Sequence, residues 1–318
     1  MDLINSPYNT QHQPLVATIG FFDGVHTGHQ YLIEQLKIEA KKKNLPSAVI
    51  TFPVHPRRVL SSDYQPALLC GYEEKVKRLA TTDVDYCVTL DFTKEMSTLS
   101  AKEFIKQILK DKLNVQTLLI GYDHRFGHNR EDGFEEYQQY GKEVGIDVIQ
   151  ACELDSSNHV SSSRIRRLLG EGDVVKANQL LGYNYTISGQ IVEGFQVGRT
   201  IGFPTANIKI WEDFKVVPAF GVYAVYVLID EDQYEGMLYI GKRPTLHNGD
   251  NISLEVNILD FDQNLYGKSL SVEFIEFMRP DEKFKDLETL VKNIKQDKID
   301  VGNLLKKLRG SQQSKSQS

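Results

Sequence analysis

A chain of 318 residues is long enough for about two domains of ordinary size. With 41% apolar and 25% charged residues it is neither fibrous nor intrinsically disordered. A net charge of −6, from 37 Lys+Arg against 43 Asp+Glu, argues against an extended nucleic-acid face, yet leaves room for a small pocket that takes a phosphorylated ligand.

The opening MDLINSPYNTQHQ is polar and carries no secretory pattern. Apolar runs of strand length follow: LVATIG (15–20), SAVITF (47–52), DYCVTL (85–90), VQTLLIG (115–121) and IDVIQAC (146–152). Helical patterns alternate with them at 28–43, 72–81, 100–112 and 133–144, the third opened by a possible capping box, Ser100 to Glu103. Such alternation predicts βαβ units on a parallel sheet, and continuous apolar runs predict strands buried on both faces. A helical pair is expected over 161–182, broken at GEG. The texture then changes to short β-rich runs, YTISGQIV, GVYAVYVLI, EGMLYIG, ISLEVNIL and SLSVEFIEFM, which predict an antiparallel sandwich or barrel. An amphipathic helix over about 286–307 closes the fold, and GSQQSKSQS reads as a disordered tail. The expected fold is thus α/β, a doubly wound parallel sheet over 1–183, then an antiparallel domain with a terminal helix over 184–309, then a tail, 310–318. Three scattered cysteines (Cys70, Cys87, Cys152) form no C-x-x-C pair, and no apolar run approaches the roughly 18 residues of a membrane span. These features predict a cytoplasmic protein that binds neither nucleic acid nor membrane.

In an open parallel sheet, ligands sit outside the carboxyl ends of the strands. Polar, glycine-rich segments gather there: GFFDGVHTGH after the first run, PVHPRR after the second, GYDHRFGHNR after the fourth, SSSRIRR past the fifth. Gly20, Gly24 and Gly28 permit close backbone approach to a ligand. The helix beginning near Gly28 offers N–H groups to a phosphate. His26 and His29, three apart, can stabilise charge developing on phosphorus. Ser162, Ser163, Arg164 and Arg166 can embrace the remaining phosphates. Alternatives stay open at each position: a metal pair with no evident third ligand, turn histidines, turn glycines, or an ordinary capped basic helix.

GFFDGVHTGH resembles the H-x-G-H signature of the nucleotidyltransferase superfamily, and SSSRIR its second phosphate-binding motif. GYDHRFG and TFPVHP resemble the FMN adenylyltransferase branch. In the second half, GRTIGFPTANI (198–208) is similar to the G-R-x-x-G-x-P-T-A-N signature of riboflavin kinases, and 253–284 to the remainder of that domain. Over about 14–307 the chain therefore resembles bacterial bifunctional riboflavin kinase/FAD synthetases. The resemblance implies a Rossmann-like nucleotidyltransferase domain and a riboflavin kinase β-barrel. It implies riboflavin, FMN and ATP as substrates and Mg²⁺ as cofactor. By the same resemblance Phe22, Asp23 and Asp123 join the nucleotide contacts of the first domain, and His55 and Pro56 its flavin contacts.

In the second domain, Gly198, Arg199, Gly202 and Pro204 can wrap an ATP phosphate tail. Thr205 and Asn207 alternate, so on an extended strand both face one way, and their oxygens suit Mg²⁺; a satisfied polar turn is the other reading. Glu255, a carboxylate on a mostly apolar strand, is a candidate general base, which the resemblance places at the riboflavin 5′-hydroxyl; the alternative is a cross-strand ion-pair partner. Arg279 and Phe284 are expected near the flavin or nucleotide. The chain departs from the family pattern at Phe21 and Tyr239 (usually Asn), at His124 (usually Phe), and in TFPVHP, whose first proline comes one place early. Two competing readings remain: a single retained activity, and a flavin-binding sensor or nucleic-acid-binding regulator on the same scaffold.

Overall fold

The computed structural model describes the chain except residues 6–12, 61–66, 123–124, 129–131, 154–159, 194–201, 243–251, 262, 264 and 316–318. It divides into two compact units, Met1–Ser162 and Ser163–Ser318.

The first unit is built on six parallel strands: β1 (Asp2–Asn5), β2 (Leu15–Ile19), β3 (Ser47–Thr51), β4 (Tyr86–Thr89), β5 (Val115–Ile120) and β6 (Asp147–Gln150), in the order β1-β4-β3-β2-β5-β6. Its helices are α1 (Thr27–Lys43), α2 (Pro56–Leu60), α3 (Tyr72–Ala80), α4 (Lys94–Ser97), α5 (Ala101–Glu103) and α6 (Phe134–Val144). Strands β2 and β3 are buried along their whole length because both faces are covered. Alternate side chains serve two cores. Leu15, Ala17, Ile19, Ala48 and Ile50 join Phe104, Ile108 and Tyr137 on one face, while Val16 and Val49 join Ile33, Leu36 and Leu79 on the other. This is a doubly wound sheet. From β2 the chain winds one way through β3 and β4, and from β5 the other way to β6. The switch point, where the carboxyl ends open a crevice, therefore lies between β2 and β5.

Two details depart from the sequence pattern. Strand β1 pairs parallel with β4 in the polar opening; an edge strand mostly exposed to solvent needs no apolar run. The helix expected over 100–112 starts with the Ser100/Glu103 capping box, then widens into a π-helix, Phe104–Lys110. Its N–H groups reach back five residues, as Asp111 N–H does to Lys106 O at 2.9 Å.

The second unit begins at Ser163, within α7 (Ser162–Glu171), and continues through α8 (Val174–Leu181) into a closed antiparallel barrel. The strands are β7 (Thr186–Val192), β8 (Ala206–Ile210), β9 (Gly221–Ile229), β10 (Asp232–Lys242), β11 (Ile252–Ile258) and β12 (Ser269–Pro280), closed in the order β10-β11-β8-β7-β12-β9. Tyr223, Val225, Leu238, Val256 and Phe274 alternate into the buried interior. On the outer face Val222, Ala224 and Met237 pack against Val301 and Leu305 of α9 (Leu287–Lys315). The closed barrel resolves the sandwich-or-barrel alternative, and closure leaves no sheet edge to protect.

The contact boundary falls about twenty residues before the sequence-based boundary near 183. The helix pair is stitched to barrel residues: Ala219 N–H donates to Leu169 O at 2.9 Å, and Asn178 Nδ2 to Phe274 O at 2.8 Å. The terminal helix also outruns its expected end, because GSQQSK continues it to Lys315; only 316–318 of the expected disordered tail lie outside the described residues. Among the described residues no helix is long and apolar enough to cross a membrane.

Candidate active sites

The first site is the turn from β2 into α1. His26 is the N-cap of α1, with extended backbone (φ −65°, ψ 171°), and its Nδ1 accepts the His29 N–H at 3.3 Å. The two imidazoles stack, centroids 3.6 Å apart and 15° between planes. His29 also faces the buried Phe22 ring at 5.0 Å. The sequence thus brings both histidines together at a helix N-terminus beside the switch point. The rings crowd the glycines around them. A Cβ on Gly28 would lie 3.3 Å from the His26 ring, and one on Gly20 3.1 Å from the Phe22 ring.

The turn is strained. Phe22 and Val25 have positive φ, 55° and 40°, a region a β-branched residue rarely enters. Strain of this kind persists only where the surroundings over-determine it, and here several long-range bonds do so. Asp23, buried, accepts the Leu69 N–H at 2.9 Å and the Cys70 N–H at 3.3 Å. The Gly24 N–H reaches Cys70 Sγ at 3.1 Å. Ser162 Oγ donates to Asp23 O at 3.0 Å. Thr51 Oγ1 and Lys75 Nζ both donate to Phe21 O, at 3.1 and 3.0 Å. Asp23, expected among the nucleotide contacts, ties the turn to 69–70 through its carboxylate. Asp23→Ala is therefore expected to destabilise the first unit by roughly 1–3 kcal/mol, the cost of buried donors left without acceptors, read as a lower denaturant midpoint.

Beside this turn, Pro56 occupies the first position of α2 and His55 precedes it; the His55 ring meets Phe21 edge-on at 4.6 Å. The departure Phe21 thus fills space next to the proposed flavin contact. Ser163, Arg164 and Arg166 follow Ser162 in the first turns of α7. Asp123 and His124 lie outside the described residues, as do Gly198 and Arg199. Among the described residues no group of three His, Cys, Asp or Glu side chains is arranged to hold a metal ion.

The second site lies on the outer face of the barrel. Ser253, Glu255 and Asn257 alternate along β11, facing outward, while Leu254 and Val256 face in. Register places Glu255 beside Asn207 on β8 and Tyr239 on β10. Glu255 accepts hydroxyl hydrogen bonds from Thr205 at 3.3 Å and Ser253 at 3.0 Å. Asn257 Nδ2 donates to Pro204 O at 2.7 Å and so holds the Pro-Thr-Ala-Asn segment against β11. Gly202 precedes it at φ 82°. Asn207 is buried and Thr205 half-buried. Residues fifty apart in sequence thus converge on one carboxylate. Ser253 and Asn257 were missed by sequence reasoning, although their two-residue spacing about Glu255 carried the signal.

Tyr239 stands across from Glu255, and its hydroxyl donates to Asp281 Oδ1 at 2.9 Å. Burial, then that bond, push the phenol up to about 12, so it remains a donor at neutral pH. Arg279 is engaged structurally: its guanidinium grips the Asp297 carboxylate at 2.8–3.2 Å and lies 5.4 Å from the Phe284 ring centroid. It ties the end of β12 to α9. Asp297→Asn is expected to cost roughly 1.5–3 kcal/mol, the usual worth of charge-assisted bonds, seen as a lower melting temperature.

Comparisons with known proteins agree with this division. The family model for FAD synthetase matches residues 8–164 and that for riboflavin kinase residues 181–305. The bifunctional riboflavin kinase/FMN adenylyltransferase of Listeria monocytogenes is 38% identical over 92% of this chain and 93% of its own length. That of Escherichia coli K12 is 38% identical over 94% and 96%. A crystal structure from Streptococcus pneumoniae, titled a macrolide-efflux protein, superposes with a TM-score of 0.85 at 32% identity, covering 95% of this chain and 99% of that one. With a doubly wound unit carrying the stacked histidines, a barrel carrying Glu255 among Ser, Thr and Asn, and relatives aligned from end to end, the chain belongs to the bifunctional riboflavin kinase/FMN adenylyltransferase family.

Proposed function

We propose that the barrel phosphorylates riboflavin and the parallel-sheet unit adenylylates the product. In the first reaction the riboflavin 5′-hydroxyl oxygen attacks the γ-phosphorus of ATP, its proton passes to Glu255, and ADP leaves. In the second, a phosphate oxygen of FMN attacks the α-phosphorus of another ATP and pyrophosphate leaves, giving FAD. That nucleophile is already ionised, so no base and no covalent intermediate are needed. His26, His29, Ser162, Ser163 and Arg164 act by positioning and by stabilising charge. Gly202 and Pro204 shape the phosphate cradle of the kinase, Arg166 contributes to that of the transferase, and His55 and Pro56 stand at the flavin side.

Mg²⁺ fits the kinase site. The donor set is a hydroxyl, an amide oxygen and a neighbouring carboxylate, the hard oxygens this ion prefers, and it binds through few protein ligands with the rest from phosphates and water. Thr205 and Asn207 would hold it, and when bound it neutralises phosphate charge. Three scattered cysteines with no C-x-x-C pair support a reducing compartment, the cytosol.

The observation that carries the kinase half most firmly is the Thr205–Glu255 hydrogen bond, which joins the Pro-Thr-Ala-Asn segment to the proposed base. The test is incubation with riboflavin, ATP and Mg²⁺ followed by chromatography of the flavins. FAD is expected; FMN alone would leave one activity, and unchanged riboflavin would overturn the reading.

A further inference from the structure

We propose that Lys75 is a positioning residue for adenylyl transfer, its side-chain amine holding the strained Gly20–Val25 turn and hence the two imidazoles in place. The proposal rests on that turn being the nucleotidyl-transfer site. No motif draws attention to Lys75. It lies at a core-facing position of α3, one turn before the buried Leu79, and is only 2% exposed. Its Nζ donates to Phe21 O at 3.0 Å and Phe52 O at 2.7 Å, and sits 4.0 Å from the Phe21 ring centroid. Phe21 follows β2 and Phe52 follows β3, so one ammonium ties together the carboxyl ends of two adjacent strands, where the histidine turn begins.

The cost of the arrangement is the argument for its use. Burial is the dominant influence on Lys75 and lowers it to about 8; Cys70, Asp23 and Cys87 pull the other way. Among the described residues those are the titratable groups that act on it, with the Phe21 and Tyr72 rings beside the amine. Asp23 already accepts two backbone N–H groups, and burial pushes the Cys87 thiol up to about 11, so that thiol is neutral. A methionine would fill the same space without the penalty of a buried charge. What the ammonium adds is a pair of charge-assisted bonds to backbone carbonyls, one of them on the residue preceding Phe22, where φ is 55°. Such bonds hold a conformation the chain would otherwise leave.

The sign with pH follows. Lys75 is charged below about 8 and loses its proton as pH rises through that value. Wild-type kcat for FMN to FAD is therefore expected to fall between pH 7 and about 9.5, while kinase turnover in the same sample does not share the decline. Lys75→Met is expected to lower that kcat by about tenfold to hundredfold at pH 7, as a misplaced catalytic group does. The KM values should change little, the residual activity should lose its alkaline decline, and the melting temperature should hold or rise. A variant within about twofold of wild type, or one that keeps the alkaline decline, overturns the proposal. If Lys75→Met does not fold, the wild-type profile decides, and a flat profile to about pH 9.5 overturns it. His29→Ala is the reference: if it still makes FAD, the site reading itself fails; if it is inactive while Lys75→Met is active, only the lysine proposal fails.

Discussion

Glu255→Gln protein is expected to leave riboflavin unphosphorylated while still converting supplied FMN to FAD. The amide keeps the size of the carboxylate and can still accept from Thr205 or Ser253, which both bond Glu255. It cannot take the proton of the riboflavin hydroxyl. Loss of a general base typically costs about 10²–10⁴-fold, so kinase turnover should fall by that factor with the fold intact. The measurement is the initial rate of each half-reaction on one preparation. Equal loss of both would contradict separate sites, since Glu255 lies on β11 of the barrel and the histidine turn belongs to the other unit.

His29→Ala is expected to do the reverse: FAD formation from FMN falls by about a hundredfold or more, the usual effect of removing one preorganised donor near a reacting phosphorus, and riboflavin phosphorylation persists. The substitution also removes a ring stacked on His26 and facing Phe22. It leaves the N-cap interaction in place, because that bond uses the His29 backbone N–H. Circular dichroism and the kinase rate together show whether the variant is folded. A folded variant with normal FAD synthesis would remove His29 from the catalytic set.

How much of this was legible in the sequence depended on how local the cause is. Strands β2 to β5 showed as continuous apolar runs because both faces are largely covered, and β6 showed as one too although it lies at the sheet's other edge and is only partly buried. Strand β1 did not, since an edge strand mostly exposed to solvent needs no such run. Strand β8 follows a Gly-Phe-Pro segment and is short and only partly buried, so its residues read as loop. The switch to π-helical pairing at Phe104 has no periodic signature. At the sites, the paired histidines, Ser162, Thr205, Asn207 and Glu255 stood out as motifs. The hydrogen-bond partners of Asp23 were not legible, because 69–70 lie 46 and 47 residues away. Lys75 was invisible for the same reason: Phe21 and Phe52 are 54 and 23 residues away from it. Its one local mark is a lysine on the buried stripe of amphipathic α3. Arg279 is expected near the flavin or nucleotide from its charged segment, and the fold adds its carboxylate partner at Asp297.

The central claim is that one polypeptide carries two independent ATP-using sites that hand over different parts of the nucleotide. Mixing Glu255→Gln protein with His29→Ala protein tests it most directly, with riboflavin, ATP and Mg²⁺ supplied and the flavins separated by chromatography. Each variant alone should make little or no FAD from riboflavin, whereas the mixture should make it, FMN from one protein serving the other. A mixture that makes none, although each folded variant retains its own half-reaction, would contradict the claim.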